Sequence, residues 1–196
     1  MTTRDALLDA AAHVIRTKGL ARATTKEIAR ASGFSEATLY KNFQDKEELF
    51  VAVLRERVSS FTPLQAALAA VPGSRTVREN LEDVVRAAAD FYVASFPMSA
   101  SIYAEPALLA AHRTSLSRRG AGPHLAGEAL AAYVTQEQKL GRVAVGVEPS
   151  AVAAILLGAC VQYGFLTSFA GRPADPDEIN RLATNTVGAL LNGIAA

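Results

Sequence analysis

The chain has 196 residues, half of them hydrophobic and 20% charged, with a formal net charge of +1 at pH 7. That composition excludes a disordered chain and leaves room for a sizeable core. The overall charge points to no partner; residues 1–60 carry ten Lys/Arg against eight Asp/Glu, a basic bias too small to argue from alone.

The single cysteine, Cys160, lies in an apolar stretch. A disulfide framework or a multi-cysteine metal site within the chain is excluded, and a reducing cytoplasm is the expected location. Met-Thr-Thr-Arg-Asp leads straight into an amphipathic pattern with no apolar signal core. The apolar run Ala151–Val161 is expected to be too short to span a bilayer.

In chain order, Leu8, Ala11, Ala12 and Ile15 repeat as one buried face of a helix over residues 4–18, with Gly19 able to close it. Thr24-Thr25-Lys26-Glu27 has the pattern of a capping box. It predicts a short helix to about Ala31 that buries Ile28 and Ala29. Ser32-Gly33-Phe34 breaks that helix, Gly33 supplying the positive φ of a sharp turn. Ser35 caps a second short helix from Glu36 to about Phe43, with Leu39, Phe43 and Phe34 expected in the core. Asp45-Lys46-Glu47-Glu48 is a second capping-box pattern. It opens a longer helix expected to bury Leu49, Val53 and Val58 and to run to Phe61.

Pro63 and Val71-Pro72-Gly73 read as punctuation. Ser74 is expected to cap a helix through Phe96 that Pro97 ends. Residues 100–113 read as helical with Pro106 inside, and 114–123 as irregular. A helix then runs to Leu140 and stops at Gly141, and Val143–Val147 reads as a loop. Pro149–Phe169 and Pro176–Ile194 are the last two helices, each with proline at its first position. The expected fold class is all-α, with about nine helices.

The second short helix exposes Thr38, Tyr40, Lys41 and Asn42, residue types a bundle core cannot use. Hydroxyl, phenol, ammonium and amide suit base edges and phosphates, and two short helices about a tight turn have helix-turn-helix geometry. Thr24-Thr25-Lys26-Glu27-Ile28-Ala29, Ala31-Ser32-Gly33-Phe34-Ser35, Thr38-Leu39-Tyr40, Phe43 and Lys46-Glu47-Glu48-Leu49 resemble the DNA-binding signature of the TetR family. The resemblance covers residues 4–58; beyond it only size, helix count and the Gly/Pro pattern fit. The chain departs from the pattern at Ala37, often Gly, and at Asn42, often His or Tyr.

The resemblance implies residues 1–48 as a three-helix DNA-binding domain and 49–196 as a ligand-sensing and dimerisation bundle. It places Lys26, Ser35, Thr38 and Tyr40 facing DNA, with Thr25, Asn42 and Lys46 on phosphates; Lys41 joins them as a DNA-binding candidate. Glu36 is awkward beside phosphates; it can accept from a cytosine amine or simply favour the helix N-terminus. The expected partners are a double-stranded operator, a second copy of the chain through the last two helices, and an apolar or weakly polar small molecule. Phe91, Tyr92, Phe96, Met98, Tyr103, Tyr133, Gln162, Tyr163 and Phe165 are candidate ligand contacts, though aromatic residues at helical spacing more often fill a core. Gly158, Ala159 and Gly164 are expected to let helices approach across the dimer. The alternative is a helical ligand-binding or scaffold protein that does not bind an operator.

Nothing points to an enzyme. His13, His112 and His124 lack metal-ligand spacing, and there is no phosphate-binding Gly loop or nucleophile elbow. No catalytic residue, metal or cofactor is expected.

Overall fold

The computed structural model describes residues 1–57 and 61–193. Among these residues it is helical, with no strand: α1 (Thr3–Lys18), a 3-10 turn (Leu20–Arg22), α2 (Thr25–Ser32), α3 (Glu36–Asn42), α4 (Lys46–Glu56), α5 (Thr62–Leu68), α6 (Val77–Ile102), α7 (Pro106–Ser117), α8 (His124–Lys139), α9 (Pro149–Phe169) and α10 (Pro176–Asn192). The chain forms two compact units, one of Met1–Ser59 with Ser95–Gly122 and the other of Ser60–Ala94 with Pro123–Ala196.

In the first unit α1 packs on α2 and α4, and α4 on α7. Leu7, Leu8, Ala11, Ile15, Ile28, Leu39, Phe43, Leu49 and Val53 meet in its core, joined by Met98, Ile102 and Leu108. Each large aliphatic buried there contributes about 1.5–3 kcal/mol of transfer free energy. Ion pairs then tie the start of α1 to the end of α4. Arg4 grips Glu56 with two nitrogens at 2.7 and 2.9 Å, and Arg57 reaches Asp5 at 3.0 Å and Asp9 at 2.6 Å. The Arg4 bond holds the Glu56 carboxyl at about 2, well below its ordinary value. Thr2 and Asp5 make a full capping box at the start of α1.

In the second unit α8 lies along α9, with α5 on α8 and α10 on α9. Leu64, Leu81, Val84, Val85, Leu130, Val152, Leu156, Cys160, Ile179 and Val187 form its core. Burial pushes the Cys160 thiol up to about 12, so it stays protonated at neutral pH.

Several boundaries differ from expectation. The helix capped by Asp45 stops at Glu56 rather than Phe61, and Phe61 instead precedes α5. Val58 and Ile194, expected to face inward, lie outside the described residues. Residues 62–68 form the extra helix α5: Pro63 sits in its first turn, where the missing N–H costs nothing, and Leu64 anchors it. Helix α6 starts after Thr76, whose hydroxyl and Glu79 cap it reciprocally, while Ser74 bonds back to the Val71 carbonyl in the preceding turn. Pro97 does not end α6. The helix forgoes one hydrogen bond there, and burial of Met98 and Ile102 beyond it offsets the loss. The break comes at residues 103–105, and Pro106 opens α7.

Helix α9, 21 residues with mean hydropathy 1.7 in its most apolar window, is long and apolar enough to cross a membrane by length and composition. The expectation that this region is too short therefore falls. Its Val152, Ala153, Leu156, Leu157 and Cys160 are buried in the second core, as in a packed helix of a globular unit.

Gly164, expected to let helices approach across the dimer, is buried against Tyr92 within its own unit. A Cβ there would lie 3.0 Å from the backbone carbon and Cβ of Tyr92, so the glycine lets α6 and α9 approach within the unit. Gly164→Ala is therefore expected to destabilise, overpacking costs of ~1–3 kcal/mol outweighing a helix-propensity gain of ~1. Gly127 in α8 has nothing within 4 Å of such a Cβ. Gly127→Ala should stabilise by ~0.5–1 kcal/mol. Thermal unfolding midpoints that move in the same direction for both would refute this packing.

Candidate nucleic-acid interface

Local chemistry builds the α2–α3 segment. Thr24 accepts from the Glu27 N–H at 3.2 Å, capping α2. The reciprocal half of the expected box is missing: the Glu27 carboxylate turns to Arg30 at 2.6 Å and to Lys18. Arg30, then Lys18, hold it down at about 2. Helix α2 ends in a Schellman cap, with Gly33 at φ +75°, its N–H donating to Arg30 O and the Phe34 N–H to Ala29 O. The Phe34 side chain is 38% exposed, so it is no core residue. It rides outside the turn, and Ile28 and Leu39 close the core beneath.

Ser35 caps α3, accepting from the Thr38 N–H at 3.2 Å, and the two hydroxyls lie 3.0 Å apart. Burying Leu39 and Phe43 fixes the roll of α3 and turns its other face to solvent. Tyr40 is 51% exposed. Lys26, Ser35 and Lys41 are exposed, and Thr25, Thr38, Asn42 and Lys46 are half-buried. Asn42 donates to the Thr38 carbonyl at 2.9 Å. The Lys46 ammonium stands 5.0 Å from the centre of the Phe50 ring, at the first residue of α4. Asp45 caps that helix through the Glu48 N–H at 2.7 Å, and the Glu48 carboxylate takes the Gln44 N–H rather than completing the expected box. All eight candidate DNA contacts therefore lie between Thr25 and Lys46 in the first unit.

One link was invisible to spacing: the Thr25 hydroxyl donates to Glu36 Oε2 at 3.1 Å, from the first residue of α2 to the first of α3. No periodic pattern marks a pair eleven positions apart across a turn.

The candidate ligand residues fall in both units. Phe96, Met98 and Tyr103 belong to the first unit, where Met98 is core and Tyr103 is 73% exposed. In the second unit Phe91 meets Phe61 and Tyr92 edge-on, both at 5.2 Å between ring centres. Tyr133 is buried and accepts from Asn80 at 2.9 Å. Tyr163 donates to Glu178 at 3.2 Å, whereas Gln162 and Phe165 are exposed on α9. His112, half-buried in α7, keeps a buried Nδ1 with no partner among the described residues, and burial lowers its pKa. No group of three or more His, Cys, Asp or Glu able to hold a metal occurs among the described residues.

Residues 7–53 match the N-terminal family model of bacterial regulatory proteins of the tetR family. Over 83 residues the chain is 36% identical to the HTH-type transcriptional regulator BetI of Rhizobium meliloti. That match spans 42% of this chain and 40% of that regulator. The fold is similar to that of a TetR/AcrR-family regulator from Thermobifida fusca, with TM-score 0.70, 20% identity and 98% of each chain covered. It is also similar to the regulator FadR of Bacillus subtilis in complex with stearoyl-CoA, with TM-score 0.69, 17% identity, and 97% of this chain and 99% of that one covered. A capped helix-turn-helix at residues 24–43 lies inside the stretch that matches the N-terminal model of the tetR family of bacterial regulatory proteins, so this segment is similar to the DNA-binding part of that family.

Proposed function

We infer that the chain is a homodimeric transcriptional repressor of the cytoplasm, released from a palindromic operator by a small apolar or weakly polar ligand. Residues 1–48 are its DNA-binding domain and 49–196 its sensing and dimerisation part. The observation that carries the reading is the solvent face of α3, where Tyr40 and Lys41 stand exposed, as does Lys26 of α2, while Leu39 and Phe43 anchor the helix from behind. A helix so anchored has its polar side free for the major groove.

A two-fold dimer should prefer half-sites ~34 Å apart, or a multiple of that spacing. Gel retardation with DNA from the chain's own upstream region tests this directly. Tyr40→Ala and Lys46→Ala are expected to weaken binding across all sequences, because phosphate contacts carry no sequence information. Thr38→Ala should relax one base position by ~1–3 kcal/mol. Equal affinity of the wild type and all three variants would sink the assignment and favour the scaffold alternative.

Ligand release needs a molecule that binds one conformation of the dimer better than the other. A coupling of ~1–3 kcal/mol is enough for a several-fold to hundredfold loss of operator affinity. A long-chain acyl-CoA, apolar in its chain but charged in its head group, belongs in the first set of compounds beside the corresponding fatty acid, since a protein of similar fold is bound to stearoyl-CoA. A compound that binds without changing operator affinity counts against the switch.

A further inference from the structure

We propose that Glu36 reads a cytosine in each half-site, with Thr25 as the residue that aims it. The inference rests on the DNA-binding reading above and adds the base. Glu36 is the first residue of α3, and N-terminal residues of a recognition helix are the ones that meet base edges. A carboxylate there is costly among phosphates unless something specific holds it. The Thr25 hydroxyl does so, donating to Oε2 at 3.1 Å in a part-buried contact. No ion pair engages Glu36 among the described residues, whereas Glu27 close by is bound by Arg30 and Lys18. Oε2 thus already accepts one bond, and among the described residues no hydrogen bond to Oε1 is found.

The chemistry selects the base. An ionised carboxylate only accepts hydrogen bonds. In the major groove guanine offers two acceptors, thymine an acceptor and a methyl group, and adenine a donor beside an acceptor. Cytosine offers its N4 amine, so it is the base that meets Oε1 without repulsion. The same bond changes the part Thr25 plays: its one hydroxyl proton is given to Glu36, so it reaches a phosphate only through its backbone N–H at the start of α2.

In vitro selection from a randomised duplex library, with the full chain, tests this. The wild type should enrich cytosine at one position of each half-site, and thymine there should cost about tenfold in affinity. Glu36→Gln should lose that preference and enrich adenine, to which an amide bonds through N6 and N7. Thr25→Val should narrow the cytosine preference severalfold while the other positions of the motif stay the same. Identical motifs for the wild type and Glu36→Gln would overturn the inference and leave the Thr25–Glu36 bond as a brace between helices. If the wild type enriches no motif at all, the regulator reading falls with it, a result distinct from the first.

Discussion

Phe165→Glu is expected to turn the protein into a folded monomer with at least about a hundredfold weaker operator binding, since joining two half-site contacts multiplies affinity by ~10²–10⁴. One side of α9 is spent on the core of the second unit. The other shows Ile155, Val161, Phe165, Leu166 and Phe169, the last 82% exposed. Phe165 and Phe169 lie 5.9 Å apart between ring centres. Ile155 also borders an open groove of about 550 Å³ lined by Asn185, Thr186, Ala189, Leu190 and Gly193 of the α10 end. Single exposed apolar residues need no explanation; five on α9 between Ile155 and Phe169 are the reason for placing the expected dimer contact on this helix. In a two-fold interface every substitution acts twice, so two carboxylates enter the apolar seam together. Leu190→Arg is a poorer probe, because Leu190 also packs on the core of the unit and its loss damages the fold. Light scattering at micromolar concentration reads the assembly, and circular dichroism confirms retained helix. A variant that remains dimeric and binds the operator normally would move the interface off this face of α9.

The N-terminal helices were legible because their signals are local. Thr24, Ser35 and Asp45 cap the helices they were expected to cap, and Gly33 takes the positive φ its turn requires. Leu8, Ile15, Ile28, Leu39 and Leu49 are all buried, since a 3.6-residue period and one partner face suffice to assign them. Phe34 misled because hydrophobicity does not say on which side of a turn a ring falls. Proline misled twice, since its meaning depends on position: Pro63 starts a helix, and Pro97 is tolerated inside one because the residues after it are well buried. Gly164 shows the same limit, its close neighbour Tyr92 lying seventy-two positions away. The α3 face was readable as an exposed polar surface, but the bond that holds Glu36 was not, because it is tertiary.

The largest loss of stability is expected at a residue that no sequence motif marks. Glu137 in α8 is fully buried, with its Oε1 accepting from the Gly73 N–H at 3.1 Å. Arg142 places Nε 3.1 Å from Oε2 and also donates to the Arg75 carbonyl. One turn earlier Tyr133 accepts from Asn80, and burial pushes its hydroxyl up to about 12. The Glu137 carboxylate therefore fastens two turns, one ahead of α6 and one after α8, to the middle of the second unit. Burying the charge is costly in itself; its worth lies in the partners left stranded when it goes. Glu137→Ala leaves the Gly73 N–H without its acceptor and the Arg142 guanidinium without its counter-charge, and opens a hole, for a loss of ~3–5 kcal/mol. At ~2–4 °C per kcal/mol for a chain of this size, the unfolding midpoint should fall by roughly 10 °C. Glu137→Gln keeps an acceptor for Gly73 and gives up only the charge opposite Arg142, so its loss should be well under half as large. Replacing Glu137 and Arg142 together by leucine should cost less than the two single changes added, because neither partner is left alone. Equal midpoints for the glutamine and alanine variants would show that the carboxylate holds neither turn, and additive losses in the double variant would show that the pair is no unit.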